Sequence, residues 1–167
     1  MTTPSLQNLS ETGKTGLKGP NAAEWLASQG IEIPSKPNTC AFLPDGSMIA
    51  RLAETEFFVE GRAAAKLASA LDNASLGVYP VPHEDACFSL SGPRLHEVLL
   101  QVCSVDFQAD RAANTLYMTS IAGVPVLAIP EKRDAAPSIR IWADPTFGPY
   151  LWHTLSTIVE ELKGEPQ

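Results

Sequence analysis

Gly13-Lys14-Thr15 matches the closing residues of a phosphate-binding loop, where glycines let backbone N–H groups wrap a phosphate and the lysine offsets its charge. The first glycine of that motif would fall at Asn8 and no strand pattern precedes it, so the segment reads as a loop without nucleotide chemistry. His83, Glu84, Asp85 and Cys87 are all metal-ligand types, but a metal needs its donors convergent in space. On a strand over 85–91, Asp85 and Cys87 share a face whose next member is Ser89, and no metal is expected. His96 and His153 are the remaining candidates for a general base. Neither has a neighbouring nucleophile and orienting acid, and both read as surface or interface histidines. Glu160-Glu161 reads as a solvated helix face. Gly-x-Ser-x-Gly, His-Glu-x-x-His and Gly-x-Gly-x-x-Gly do not occur. No catalytic residue is assigned, and cofactor-binding residues stay open.

Three cysteines, Cys40, Cys87 and Cys103, sit among apolar neighbours without a Cys-x-x-Cys pair. They read as small buried hydrophobes. The aromatic residues Trp142, Phe147, Tyr150 and Trp152 crowd one short region instead. Phe147 and Leu151 share helical spacing with a core face, whereas Trp152 lies about 100° off the Leu151/Leu155/Ile158 stripe. Core packing and a partner-facing surface both remain open for these aromatics. As large rings near an exposed face, Trp142, Phe147, Tyr150 and Trp152 are the candidate subunit interface.

The elements that position these residues follow from periodicity. Residues 1–13 lack apolar alternation and are expected to be a flexible N-terminal arm. Thr15-Gly-Leu-Lys-Gly-Pro20 gives a short strand that runs into a helix start, with Ala22, Ala23 and Leu26 on one face and Gly30 as the stop. Strands follow at 40–43, 47–53 and 55–61, the first two joined by an Asp45-Gly46 turn. An alanine-rich helix then places Ala63, Leu67 and Leu71 on one side.

Residues 74–84 carry two prolines and form an extended linker of sheet-edge character. Beyond it the same order recurs. A strand with Ala86, Phe88 and Leu90 on one face enters a helix carrying Leu95, Val98, Leu99 and Val102. A hairpin turns at Ala122-Gly123, residues 131–137 form a polar loop, and Ile139-Arg-Ile-Trp142 supplies the third strand. The last helix, about 147–163, buries Leu151, Leu155, Ile158 and Leu162.

Superposing the halves puts Leu17-Lys-Gly19-Pro20 on Leu90-Ser-Gly92-Pro93, 73 positions apart, with the hairpin turns 77 apart and the third strands near 82. Gly19, Pro20, Gly92 and Pro93 are thus the signature of a duplicated unit. A period this long is a pseudo-symmetric duplication, because a solenoid would need more copies to bury its core. The expected division is a first half at 14–73, the linker at 74–84 and a second half at 85–164, together one domain. Mixed helices and antiparallel hairpins define an α+β fold with helices packed on sheet faces.

Composition narrows the function. With 44% hydrophobic and 19% charged residues and a mean hydropathy of −0.02, the chain is of ordinary globular type. A net charge of −7 opposes binding to phosphate backbones or anionic lipid, so neither nucleic acid nor membrane is an expected partner. No stretch has the pattern of a signal peptide or the roughly 18 apolar residues of a membrane span, which places the expected location in the cytoplasm.

The segments FSLSGPRLHEVLLQVCSVDF, GVPVLAIP and IRIWADPTFGPYLWHTL resemble the gamma subunit of heterotetrameric sarcosine oxidase, within the wider group of the glycine-cleavage aminomethyltransferase. The Leu-Ser-Gly-Pro and Phe-x-x-Tyr-Leu-Trp motifs carry the likeness, which extends over about residues 15–163. The resemblance implies duplicated ferredoxin-like halves that exchange their first strands. It also implies a non-catalytic chain assembled with larger subunits that hold FAD, FMN, NAD and tetrahydrofolate, and that oxidise an N-methyl amine and pass the one-carbon unit on. Two other readings stand beside it: a free-standing folate-binding aminomethyltransferase-like or tRNA-modification protein, and a small-ligand-binding module.

Overall fold

The computed structural model describes residues 3–107, 114–133 and 136–164. Its elements run β1 (Ser5–Asn8), β2 (Lys14–Lys18), α1 (Ala22–Ser28), β3 (Thr39–Phe42), β4 (Met48–Ala53), β5 (Glu56–Glu60) and α2 (Arg62–Leu71). The series then repeats as β6 (Tyr79–Val81), β7 (Ala86–Ser91), α3 (Leu95–Val102), β8 (Tyr117–Ile121), β9 (Val124–Arg133), β10 (Ala136–Ala143), a 3₁₀ turn (Pro145–Phe147) and α4 (Gly148–Gly164). Each half is therefore strand, strand, helix, three strands, helix. The fold is α+β, with two antiparallel five-stranded sheets and internally duplicated ferredoxin-like halves.

Contacts divide the chain into a unit of residues 12–84 and a unit that joins residues 1–11 to 85–167. In the first, the sheet order is β3-β4-β5-β2-β6. Leu17, Ile49, Phe57 and Val59 point from it into a core shared with Ala22 and Leu26 of α1 and Ala64, Leu67 and Leu71 of α2. In the second, the order is β8-β9-β10-β7-β1, the same sequence of equivalent strands. Phe88, Leu90, Val126, Ala128, Ile139 and Ile141 meet Val98 and Leu99 of α3 and Leu151, Leu155, Ile158 and Leu162 of α4. Each such fully buried aliphatic side chain contributes roughly 1.5–3 kcal/mol.

The edge strands are exchanged. β1 lies antiparallel on β7 and β6 lies on β2, each completing the sheet whose other strands come from the opposite half of the sequence. Registers repeat with the strands: Leu17 faces Phe57 and Pro80, while Leu90 faces Ile139 and Leu6. The signature glycines explain the shared entry. Gly19 and Gly92 have φ of +129° and +121°, and a Cβ there would lie 2.2 Å from the Gly77 carbonyl oxygen and 2.9 Å from that of Thr3. Thr3 and Gly77 each stand two residues before an exchanged strand, so glycine is required where the incoming chain crosses closely.

Several expectations are corrected. The segment 1–13, read as a flexible arm, contains β1: Leu6 packs on the core, Leu9 N–H donates to the Cys87 carbonyl at 2.7 Å, and Ser10 Oγ accepts from Cys87 N–H at 3.0 Å. One apolar residue in Ser-Leu-Gln-Asn gives no period to read, and long-range pairing decides the conformation. The segment 131–137, read as a polar loop, belongs largely to strands, with Glu131 opposite Ser138. The Asp45-Gly46 turn is a loop of three residues, Pro44-Asp45-Gly46, with Gly46 at φ +83°, whereas Ala122-Gly123, at φ +51° and +79°, is the two-residue type.

Candidate functional site

The aromatic region is built by a change of element. Asp144 follows β10 and caps the 3₁₀ turn, and its Oδ1 accepts from the Thr146 hydroxyl and from Thr146 N–H at 2.8 Å, which holds its carboxyl below the usual carboxylate range. Pro145 fixes the first 3₁₀ residue, and Gly148 opens α4 where a Cβ would come within 3.0 Å of Ala86. The turn swings Phe147 and Tyr150 outward, at 45% and 53% exposure. The Tyr150 hydroxyl donates to the Ala122 carbonyl at 3.1 Å, tying this surface to the β8–β9 turn.

The four aromatic candidates separate by burial. Trp152 is half-buried, its ring 5.5 Å from that of Phe88 against the helix-side core. Trp142 is 2% exposed, with the Arg140 guanidinium 5.8 Å from its ring, so it is a packed residue and not a surface anchor of this chain. Residue alternation on β10 is the reason: Ile139, Ile141 and Ala143 take the helix side, and Ser138, Arg140 and Trp142 take the other.

That second side of the sheet carries a polar group that sequence reading passed over. Arg140 Nη2 pairs with Glu131 Oε2 at 3.1 Å from the neighbouring strand, and both side chains are largely buried. Ser89 faces Arg140 from β7, and Ser138, on β10 itself, faces Glu131, each serine 2% exposed. The alternation Leu127, Ile129, Glu131 was the available signal, masked by the run of charge at Glu131-Lys-Arg.

The remaining chemical candidates do not assemble. Lys14 and Thr15 lie in β2 and open no helix, and Lys14 Nζ donates to the Thr12 carbonyl at 2.8 Å, so no phosphate loop forms. The His83 imidazole lies over Gly16, where a Cβ would meet it at 2.7 Å, with the Phe58 ring edge-on at 4.7 Å. Cys87 is buried in β7, as Cys40 is in β3, and Cys103 is half-buried. His96 is half-buried on α3, His153 is exposed on α4, and Glu160 pairs with Lys163 at 2.8 Å. Among the described residues, no three His, Cys, Asp or Glu side chains converge on a metal position. No described helix is long and apolar enough to cross a membrane.

The fold and surface thus define a duplicated α+β chain with strand-exchanged sheets and an exposed aromatic turn. No family model and no curated protein matches the sequence. Solved structures do. The chain is similar to a chain of the heterotetrameric sarcosine oxidase from Corynebacterium sp. U-96, solved in complex with pyrrole 2-carboxylate. The TM-score is 0.78 and the identity 22%, over 98% of this chain and 87% of that one. It is also similar to the glycine cleavage system aminomethyltransferase T from Bartonella henselae, with a TM-score of 0.70 and 16% identity, over 92% of this chain and 45% of that one. At these identities the likeness shows the fold, the one the sequence motifs led us to expect.

Proposed function

We propose that this chain is a non-catalytic subunit of a multisubunit, flavin-dependent, sarcosine oxidase-like enzyme. In that assembly, larger partners hold FAD, FMN, NAD and tetrahydrofolate, oxidise the N-methyl group of sarcosine or a related amine, and pass the one-carbon unit to tetrahydrofolate. The observation that carries this reading is the reach of the structural likeness, which spans 98% of this chain and 87% of a chain from a heterotetrameric sarcosine oxidase. Phe147 and Tyr150 are the contacts we assign to the partner, with the exposed edge of Trp152 beside them. Buried Trp142 is left out of that set. The complex is placed in the cytoplasm, away from nucleic acid and membrane, in keeping with the charge of −7.

Purification of the full chain from cells that express it natively tests the assembly. Co-elution with flavin-containing subunits is expected, and loss of co-elution on Tyr150→Ala with Phe147→Ala. A chain that elutes as a monomer with no flavoprotein refutes the reading. The aminomethyltransferase likeness favours a second reading, a folate-binding protein acting alone, although this chain spans 45% of that enzyme's length. Saturable binding of tetrahydrofolate by the isolated chain would favour it over the first. We also propose that the halves, 14–73 and 85–164, joined through 74–84, melt as one domain. Coincident transitions by circular dichroism and tryptophan fluorescence are the expected result.

A further inference from the structure

We infer that reciprocal strand donation is a clamp that holds the two halves of the sequence together without the peptide link between them. β1 and β6 are short, yet each lies where a sheet would otherwise end in an open edge. Without β1, the edge would be β7, Ala-Cys-Phe-Ser-Leu-Ser, with no charge or proline to protect it. The fit is specific at both places. On β7, four residue pairs run from Ser5↔Ser91 to Asn8↔Phe88, and Leu6 reaches the core. Leu9 N–H and Ser10 Oγ extend the pairing onto Cys87 at 2.7 and 3.0 Å.

On β2, three pairs run from Gly16↔Val81 to Lys18↔Tyr79. There the chain entering β6 is bonded twice by one residue: Asn21 N–H donates to the Gly77 carbonyl at 3.1 Å, and Asn21 Nδ2 to that of Leu76 at 2.8 Å. His83 then closes over Gly16 on leaving the strand. A break between Ala74 and Ser75 would leave β1 on the fragment that lacks its sheet, and β6 likewise. Each fragment would carry the edge strand the other needs, and two separate clamps would have to open together before the fragments part.

The loop offers the place to test this, since Leu76 is 89% exposed. A protease recognition sequence inserted between Ala74 and Ser75 of the full chain is cut in the folded state, and the product is passed over a sizing column at micromolar concentration. The fragments are expected to co-elute at the position of the uncut chain. Leu6→Ala or Ser10→Ala in the cut protein is expected to weaken the pair by roughly tenfold to a hundredfold, while the uncut variants stay folded. Separation of the cut parent overturns the inference. So does retention in which both variants bind as the parent does, because the fragments would then be held by something other than β1. Should Leu6→Ala fail to fold uncut, Ser10→Ala alone decides, since it removes one hydroxyl and no core volume.

Discussion

Replacing Gly19 by alanine puts the duplicated signature to its most direct test. The new Cβ would sit 2.2 Å from the Gly77 carbonyl oxygen and 3.0 Å from its carbon, both backbone atoms that cannot rotate away. Relieving that contact strains the backbone at the crossing by about 1–3 kcal/mol, beyond the positive-φ cost that the controls below share. Moving Gly77 aside also weakens the 3.1 Å bond from Asn21 N–H, worth about 1 kcal/mol. The sum is about 2–4 kcal/mol, which at about 2–4 °C per kcal/mol lowers the Tm by about 5–15 °C. Gly46→Ala and Gly123→Ala are the controls, because their φ values are also positive, +83° and +79°, but a Cβ there meets nothing within 4 Å. They carry only the backbone cost of about 1 kcal/mol. Thermal melts and urea titrations of all three variants measure the difference. A Gly19→Ala protein that melts with the two controls would refute the argument that close chain crossing, and not conformation alone, fixes glycine there.

Gly92→Ala, with Thr3 O at 2.9 Å and Pro4 Cα at 3.1 Å, should follow Gly19→Ala at about 1–3 kcal/mol and loosen β1, seen as faster amide exchange at Leu6. Asp144 has its carboxyl pKa lowered from 3.8 by the Thr146 bonds, so its contribution is present above that value and lost as pH falls through the lower folded value. Asp144→Asn should therefore show a shallower fall in Tm between neutral and strongly acid pH than the parent. Trp142→Ala should cost about 3–5 kcal/mol in denaturant titrations, whereas exposed Phe147→Ala should cost about 1 kcal/mol or less. Removal of residues 1–9 should expose the β7 edge and produce concentration-dependent self-association on a sizing column.

The candidate surface was legible only in part. Spacing along the last helix placed Leu151, Leu155, Ile158 and Leu162 in the core, and left Tyr150 outside it, because helical period alone fixes which residues share a face. Trp142 was not placed by the same reasoning. It sits on a strand whose two faces are both covered, and alternation reports the face, not whether that face meets water. Glu131 and Arg140 were likewise unreadable as a pair, since they belong to different strands and only the register of β9 on β10 brings them within 3.1 Å.

What the sequence by itself determined is the repeated order of elements: the Leu-x-Gly-Pro entries, the glycine hairpins and the apolar stripes all act over a few residues, where local sterics and side-chain period suffice. The tertiary structure alone decided where the edges of the sheets go. Ser5–Asn8 has almost no local preference and becomes a strand because β7 offers unpaired backbone groups and a place for Leu6, while 79–81 reads as a sheet edge from its sequence but only the fold puts it on β2. That is also why the glycines at 19 and 92 could be read as a signature, while their purpose, a chain crossing from Gly77 and Thr3, could not.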